Sequence, residues 1–148
     1  MDEMKVSTRV EYGLIALADI AIYSEGGAVV PTSDISKRQN ISQKYLEQIL
    51  VSLKHSGFIR AHKGSGGGYS LTRSASAITM YEVLSALDDS ILADSFTGEG
   101  ESDIRDQVRA HFWDRVDSKI REFAEAVTLA DFIEGCKGRD NEWDMYVI

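Results

Sequence analysis

Ile41-Ser-Gln-Lys-Tyr-Leu-Glu-Gln-Ile-Leu-Val-Ser-Leu-Lys-His-Ser-Gly57, running into Phe58-Ile-Arg-Ala-His-Lys-Gly-Ser-Gly-Gly-Gly-Tyr-Ser-Leu71, decides the fold. In the first half Tyr45, Leu46, Ile49, Leu50 and Leu53 recur at helical spacing. Ser42 stands where an N-cap belongs, and Gly57 stands at the C′ position of a helix reaching about Ser56. The second half switches period. Phe58–Lys63 and Gly68–Leu71 are two short strand candidates joined by Gly64-Ser-Gly-Gly67, which reads as a hairpin with a glycine-rich tip. Glycine runs also cradle nucleotide phosphates, but such a loop needs Lys-Ser or Lys-Thr after its last glycine and then a helix. Here Tyr69-Ser-Leu71 continues as strand.

Upstream, Thr8 with Glu11 matches a capping box, and Leu14, Leu17, Ala18, Ala21 and Ile22 predict a helix over roughly 8–24, stopped by Gly26-Gly27. Pro31 before Thr32-Ser-Asp34 opens a short second helix ending near Asn40. Downstream, Thr79 with Glu82 opens a helix to about Leu87, and residues 88–102 read as a flexible acidic loop. A long helix follows over roughly 103–126, with the apolar stripe Ile104, Val108, Phe112, Val116, Ile120, Phe123 and Val127. Thr128 with Asp131 caps a last short helix, which Gly135 and Gly138 end. The apolar tail Trp143–Ile148 has no recognisable partner in the chain. The predicted class is therefore mainly α with a small β-hairpin. It divides into a winged helix-turn-helix over 1–87, the acidic loop over 88–102, and a dimerisation helix, short helix and tail over 103–148.

The chain has 148 residues, 43% hydrophobic and 27% charged, with one proline and one cysteine. A single Cys136 excludes an intramolecular disulfide framework and an all-cysteine metal site within one chain. Met1-Asp-Glu-Met-Lys5 lacks the basic-then-apolar order of a signal peptide, and no apolar run reaches membrane-spanning length, so a cytoplasmic protein is expected. Net charge is −8, which at first argues against a nucleic-acid partner. The total hides a division. Ser36–Arg73 holds Lys37, Arg38, Lys44, Lys54, Arg60, Lys63 and Arg73 against the single acid Glu47, while residues 81–148 hold seven basic and seventeen acidic side chains. An ordinary solvated face would look the same by charge alone.

Three helices followed by a hairpin is the order in which a third helix enters a DNA major groove and a wing lies along the neighbouring backbone. Bases are read there by donors and acceptors near the helix N-terminus, where this chain supplies Ser42, Gln43, Lys44, Tyr45, Glu47 and Gln48. Lys44 suits phosphate or guanine, Gln48 adenine and Glu47 a cytosine amine. Tyr45 is left open between a DNA contact and inward packing. Arg60, His62 and Lys63, with Gly64 and Ser65 at the tip, make a candidate phosphate clamp. No nucleophile, base and acid constellation suggests an enzyme.

Met4-Lys-Val-Ser-Thr8, Ile41-Ser-Gln-Lys-Tyr-Leu-Glu-Gln48, Gly64-Ser-Gly-Gly-Gly-Tyr69, Ile78-Thr79 and Thr128-Leu-Ala-Asp131 resemble the Rrf2 family of bacterial winged-helix regulators over nearly the whole chain. The resemblance implies a homodimer paired through its long C-terminal helices on a palindromic operator in double-stranded DNA. It places base and phosphate contacts on Lys44, Tyr45, Glu47, Gln48 and Lys63. The chain reads Arg9-Val-Glu11 where members usually read Lys-Gly-Arg, so a basic position has become acidic and Arg9 is the remaining candidate contact there. Iron–sulfur members carry three cysteines in or just after the 88–102 segment; this chain has none there. It is thus similar to the cluster-free, CymR-like subgroup, repressors of cysteine and sulfur genes that act with O-acetylserine thiol-lyase. No cofactor or metal is expected. Tyr146, Val147 and Ile148 resemble that subgroup's terminus and are candidates for insertion into the enzyme's pocket; packing of the tail on the dimer is the other reading. The dimer face is expected on Ile104, Val108, Phe112, Val116, Ile120 and Phe123. Two other functions stay open: a winged-helix protein-interaction adaptor, and a thiol-based redox sensor using Cys136.

Overall fold

In the computed structural model, which describes residues 7–95 and 102–146 (the side chains of 138–146 excepted), helix α1 spans Thr8–Tyr23. Its cap is Ser7, whose Oγ accepts from the Val10 amide at 3.3 Å. The expected Thr8–Glu11 box is not used, because Ser7 reaches the third amide of the helix first and Thr8 is already inside it. A 3-10 turn at Glu25–Gly27 ends the segment.

Helix α2 (Thr32–Gln39) starts after Pro31 and stops at Asn40, which turns left-handed at φ 53°. Ile41 then plugs the core, and Ser36 Oγ donates to its carbonyl at 2.6 Å. That tight turn delivers the chain into α3 (Gln43–His55), with Ser42 Oγ accepting from the Tyr45 amide. At the far end the Gly57 amide donates to Lys54 O and the Phe58 amide to Leu53 O. This is the paired-bond stop a left-handed glycine permits, and Gly57 sits at φ 85°.

Strands β1 (Ile59–His62) and β2 (Gly68–Leu71) pair antiparallel, with Ile59 opposite Leu71 and His62 opposite Gly68. A third backbone joins them: Val30 and Tyr69 exchange both amide–carbonyl bonds, at 2.8 and 2.9 Å. Gly68 makes this approach possible, since a Cβ there would lie 2.5 Å from the Val30 carbonyl carbon. Helix α4 (Met80–Leu87) opens with the expected Thr79–Glu82 capping box.

The acidic stretch expected as a flexible loop over 88–102 is folded in its first part. Asp88 caps a 3-10 turn at Asp89–Leu92, and Leu92 packs on the core. Ser95 then bonds Asp117 through both its amide, at 3.0 Å, and its hydroxyl. Residues 96–101 lie outside the described residues.

Helix α5 (Asp103–Val108), a π-helical turn (Arg109–Trp113) and helix α6 (Asp114–Ala126) run on as one rod. The π-turn explains the stripe. Apolar residues four apart, from Ile104 to Ile120, would drift about 160° around an ideal α-helix, and one extra residue takes back about 100°.

At Val127 the chain extends, and the Met80 amide donates to Val127 O while the Leu129 amide donates to Ile78 O, both at 2.9 Å. Helix α7 (Leu129–Tyr146) follows, and it is not short. Gly135 and Gly138 do not end it. Both lie within it, and a glycine inside a helix weakens it by about 1 kcal/mol without breaking it. The apolar tail is therefore helical through Tyr146. Leu129 and Ile133 join a single core with Leu17, Ile20, Ile35, Leu50, Leu53 and Ile78, so α7 packs on the winged domain itself.

Candidate nucleic-acid interface

Helix α3 divides by face. Leu46, Ile49, Leu50 and Leu53 are buried, which fixes the rotation of the helix and leaves Ser42, Gln43, Lys44, Glu47 and Gln48 exposed. Lys44, Glu47 and Val51 fall on one outer stripe at i, i+3 and i+7. Val51, 64% exposed, is an apolar member of that stripe that charge and polarity patterns pass over. Tyr45 sits between the two faces, half-buried, with its ring edge-on to Tyr12 of α1 at 5.7 Å.

Arg9, on the first turn of α1, reaches the same helix. Its Nη2 donates to Ser52 Oγ at 2.6 Å, and Ser52 Oγ in turn lies 3.4 Å from the Gln48 carbonyl. The Asp88 carboxylate is held below its ordinary range mainly by the Ser90 amide and hydroxyl, with the Ser7 hydroxyl and the Arg9 charge adding to the shift. Ser52 went unnoticed in the sequence, where nothing local marks it.

On the wing, Arg60, His62, Lys63, Gly64 and Ser65 are all exposed. His62 Nε2 lies 2.8 Å from Ser70 Oγ, and His62 lines a groove of about 520 Å³ between the wing, the end of α1 and Ile133 of α7.

The basic cluster thins when its partners are counted. Arg38 is bound to the buried carboxylate of Asp19, and Arg73 to Glu82 at 2.8 Å and to the Ala77 carbonyl. Asp19 raises the Arg38 pKa, chiefly through the hydrogen bond. Lys37, Lys44, Lys54, Arg60 and Lys63 have no ion-pair partner among the described residues. Four of the six residues expected at a dimer face are exposed: Ile104 (77%), Val108, Phe112 and Phe123 (71%). Val116 and Ile120 are half-buried. Tyr146 lies on α7 but its side chain, like Val147 and Ile148, falls outside what is described. No helix among the described residues is long and apolar enough to cross a membrane.

A trihelical core with a tight α2–α3 turn, an exposed polar face on α3 and a glycine-tipped hairpin defines a winged helix-turn-helix DNA-binding protein. The Rrf2 model, described as an iron-dependent transcriptional regulator, matches residues 6–135, and the chain belongs to that family of transcriptional regulators. It is 36% identical over 131 residues to the HTH-type transcriptional regulator IscR of Escherichia coli O1:K1, covering 88% of this chain and 80% of that one. Among solved structures, CymR, the global cysteine regulator of B. subtilis, is similar with a TM-score of 0.74 at 25% identity, covering 88% of this chain and 96% of that one. IscR of T. potens is similar with a TM-score of 0.71 at 29% identity, covering 90% and 88%.

The family description raises iron, and the donor set here does not fit a cysteine-held cluster. Such clusters are bound by several thiolates. This chain offers Cys136 alone, exposed on α7, and no group of three or more His, Cys, Asp or Glu side chains among the described residues is placed to hold a metal.

Proposed function

We propose that the protein is a homodimeric, sequence-specific repressor that binds a palindromic operator in the cytoplasm without an iron–sulfur cluster. The observation that carries this reading is the stripe on α3. Lys44, Glu47 and Gln48 are exposed and project from a helix whose rotation is locked by four buried residues, with the cations of the wing, Arg60 and Lys63, on the hairpin that follows. Charged and amide side chains without partners among the described residues, on a helix of groove-filling width, are suited to base edges and phosphates. The exposed apolar stripe on α5 and α6 supports pairing of two such chains, so that each presents one α3 helix to one half-site.

Regulation of cysteine and sulfur genes is the finer part of the proposal. It is supported by the likeness to the B. subtilis cysteine regulator and by the lack of thiolates for a cluster. Docking of an O-acetylserine thiol-lyase through Tyr146, Val147 and Ile148 belongs to the same reading. Deleting Val147 and Ile148 without changing affinity for that enzyme would remove it.

The test of the main reading is capture of genomic DNA fragments by the purified protein, followed by titration of a recovered fragment over a range of salt. Lys44→Ala and Lys63→Ala should each lower affinity and flatten the log–log salt slope by about 0.9 for every phosphate no longer neutralised. Failure of the wild-type protein to select any fragment overturns the proposal.

A further inference from the structure

Arg9 belongs to neither the recognition helix nor the wing, yet the first turn of α1 brings its guanidinium onto α3. Nη2 donates to Ser52 Oγ, and the Ser52 proton is directed at the Gln48 carbonyl one turn back. One helical step along α1, Tyr12 meets Tyr45. The pairs Arg9 with Ser52 and Tyr12 with Tyr45 bracket Gln48 on one flank of α3.

A helix lying in a major groove turns its outer stripe to the bases and its flanks toward the two phosphate backbones. Arg9 is therefore a cation on the flank. Its planar fork has five N–H donors, and Ser52 is its one hydrogen-bond partner among the described residues. The choice of a hydroxyl matters chemically. A carboxylate at the same place would hold the guanidinium more tightly but cancel its charge. Serine fixes the orientation without itself adding a negative charge, and the acid within electrostatic reach of Arg9, Asp88, makes no hydrogen bond to it. As a stabilising contact, one bond between an exposed arginine and a neutral hydroxyl is worth little; as pre-organisation of a long side chain it lowers the entropy cost of binding.

We propose that Ser52 is a positioning residue that presents Arg9 to an operator phosphate on the flank of α3 where Gln48 lies. The inference rests on the DNA-binding reading above. In it Arg9 and Ser52 act as one unit.

The experiment uses the full-length protein and a duplex that the wild type enriches from a random-sequence pool, with Kd measured from low to moderate salt. Arg9→Ala should lower the log–log slope by about 0.9. Ser52→Ala should weaken binding roughly two- to tenfold, as expected when one long side chain must be ordered on binding. It should leave the thermal melting temperature unchanged. Ser52→Thr keeps the hydroxyl and should restore affinity, and the Arg9→Ala/Ser52→Ala pair should bind no more weakly than Arg9→Ala alone. Two results overturn the proposal while leaving the DNA reading intact: a wild-type slope for Arg9→Ala when Lys44→Ala lowers it, or an unreduced Ser52→Ala effect in the Arg9→Ala background. If the wild type enriches no duplex, both readings fall together.

Discussion

Asp19 of α1 accepts from Arg38 of α2 through both carboxylate oxygens, from Nε at 3.0 Å and from Nη2 at 2.8 Å, while the guanidinium stacks 3.8 Å from the centre of the Tyr23 ring. Gln39 Nε2 adds a third donor at 2.8 Å. The Asp19 side chain is fully buried and that of Arg38 is 30% exposed, so the two partners are not equivalent. Arg38→Ala strands a buried carboxylate and should destabilise the fold by about 3 kcal/mol, the low end for a broken buried pair because the arginine keeps some water. Asp19→Ala leaves a cation that can hydrate and should cost less. Urea unfolding of both variants checks the order, and a neutral Arg38→Ala would refute it.

Gly68→Ala should be far more damaging than its size suggests. The new methyl group would meet the Val30 carbonyl carbon at 2.5 Å, its oxygen at 2.6 Å and the Pro31 nitrogen at 2.8 Å, all backbone atoms that cannot rotate aside. The wing must then separate from Val30, at about 2 kcal/mol or more of overpacking strain. Denaturant midpoints supply the measurement. A variant as stable as wild type would mean that the wing is not held to Val30 in solution.

The segment after α4 should loosen in acid. Ser95, through its hydroxyl and then its amide, lowers the pKa of Asp117, and the Ser90 amide does most to lower that of Asp88. A carboxylate whose folded value lies below its unfolded one stabilises the folded form above the unfolded value. That contribution disappears as pH falls through the folded value. The anchors should hold at neutral pH and release below about pH 4. Amide exchange at Ser90 and Ser95 followed by NMR reports this directly, and Asp117→Asn should free Ser95 already at pH 7. Protection of Ser95 that persists unchanged to strongly acid pH contradicts the assignment.

Phe112→Asp combined with Phe123→Asp should separate the proposed dimer. Both rings are exposed in the single chain, and each buried aromatic is worth about 1.5–3 kcal/mol. The dimer Kd should rise by roughly a hundredfold or more. Sedimentation equilibrium, with circular dichroism as a check on folding, distinguishes a dissociated native chain from an unfolded one. An unchanged mass would place the interface elsewhere.

What the sequence disclosed follows the range of the interactions. Ser42 with Gly57 and Thr79 with Glu82 act within one helix, so their residue types alone announce where α3 and α4 begin or end. The outer stripe of α3 was legible for the same reason, since burial of Leu46, Ile49, Leu50 and Leu53 dictates what faces out. Asp19 with Arg38 and Arg9 with Ser52 were not legible, because the partners are 19 and 43 residues apart and neither pair has a local signature. The basic cluster was accordingly overcounted. Helix α7 was underestimated for an energetic reason: Gly135 and Gly138 weaken a helix, but Leu129 and Ile133 anchor its start in the core.

The bonds that tie Ile78 and Met80 to Leu129 and Val127 clamp the start of α4 to the junction between α6 and α7 on both sides. A joint stitched at two points is restrained against swivelling. In the proposed two-fold pair built on α5 and α6, the distance from one reading head to the other would then be set by the backbone, and inserting one base pair between the half-sites should be tolerated far worse than changing the bases there.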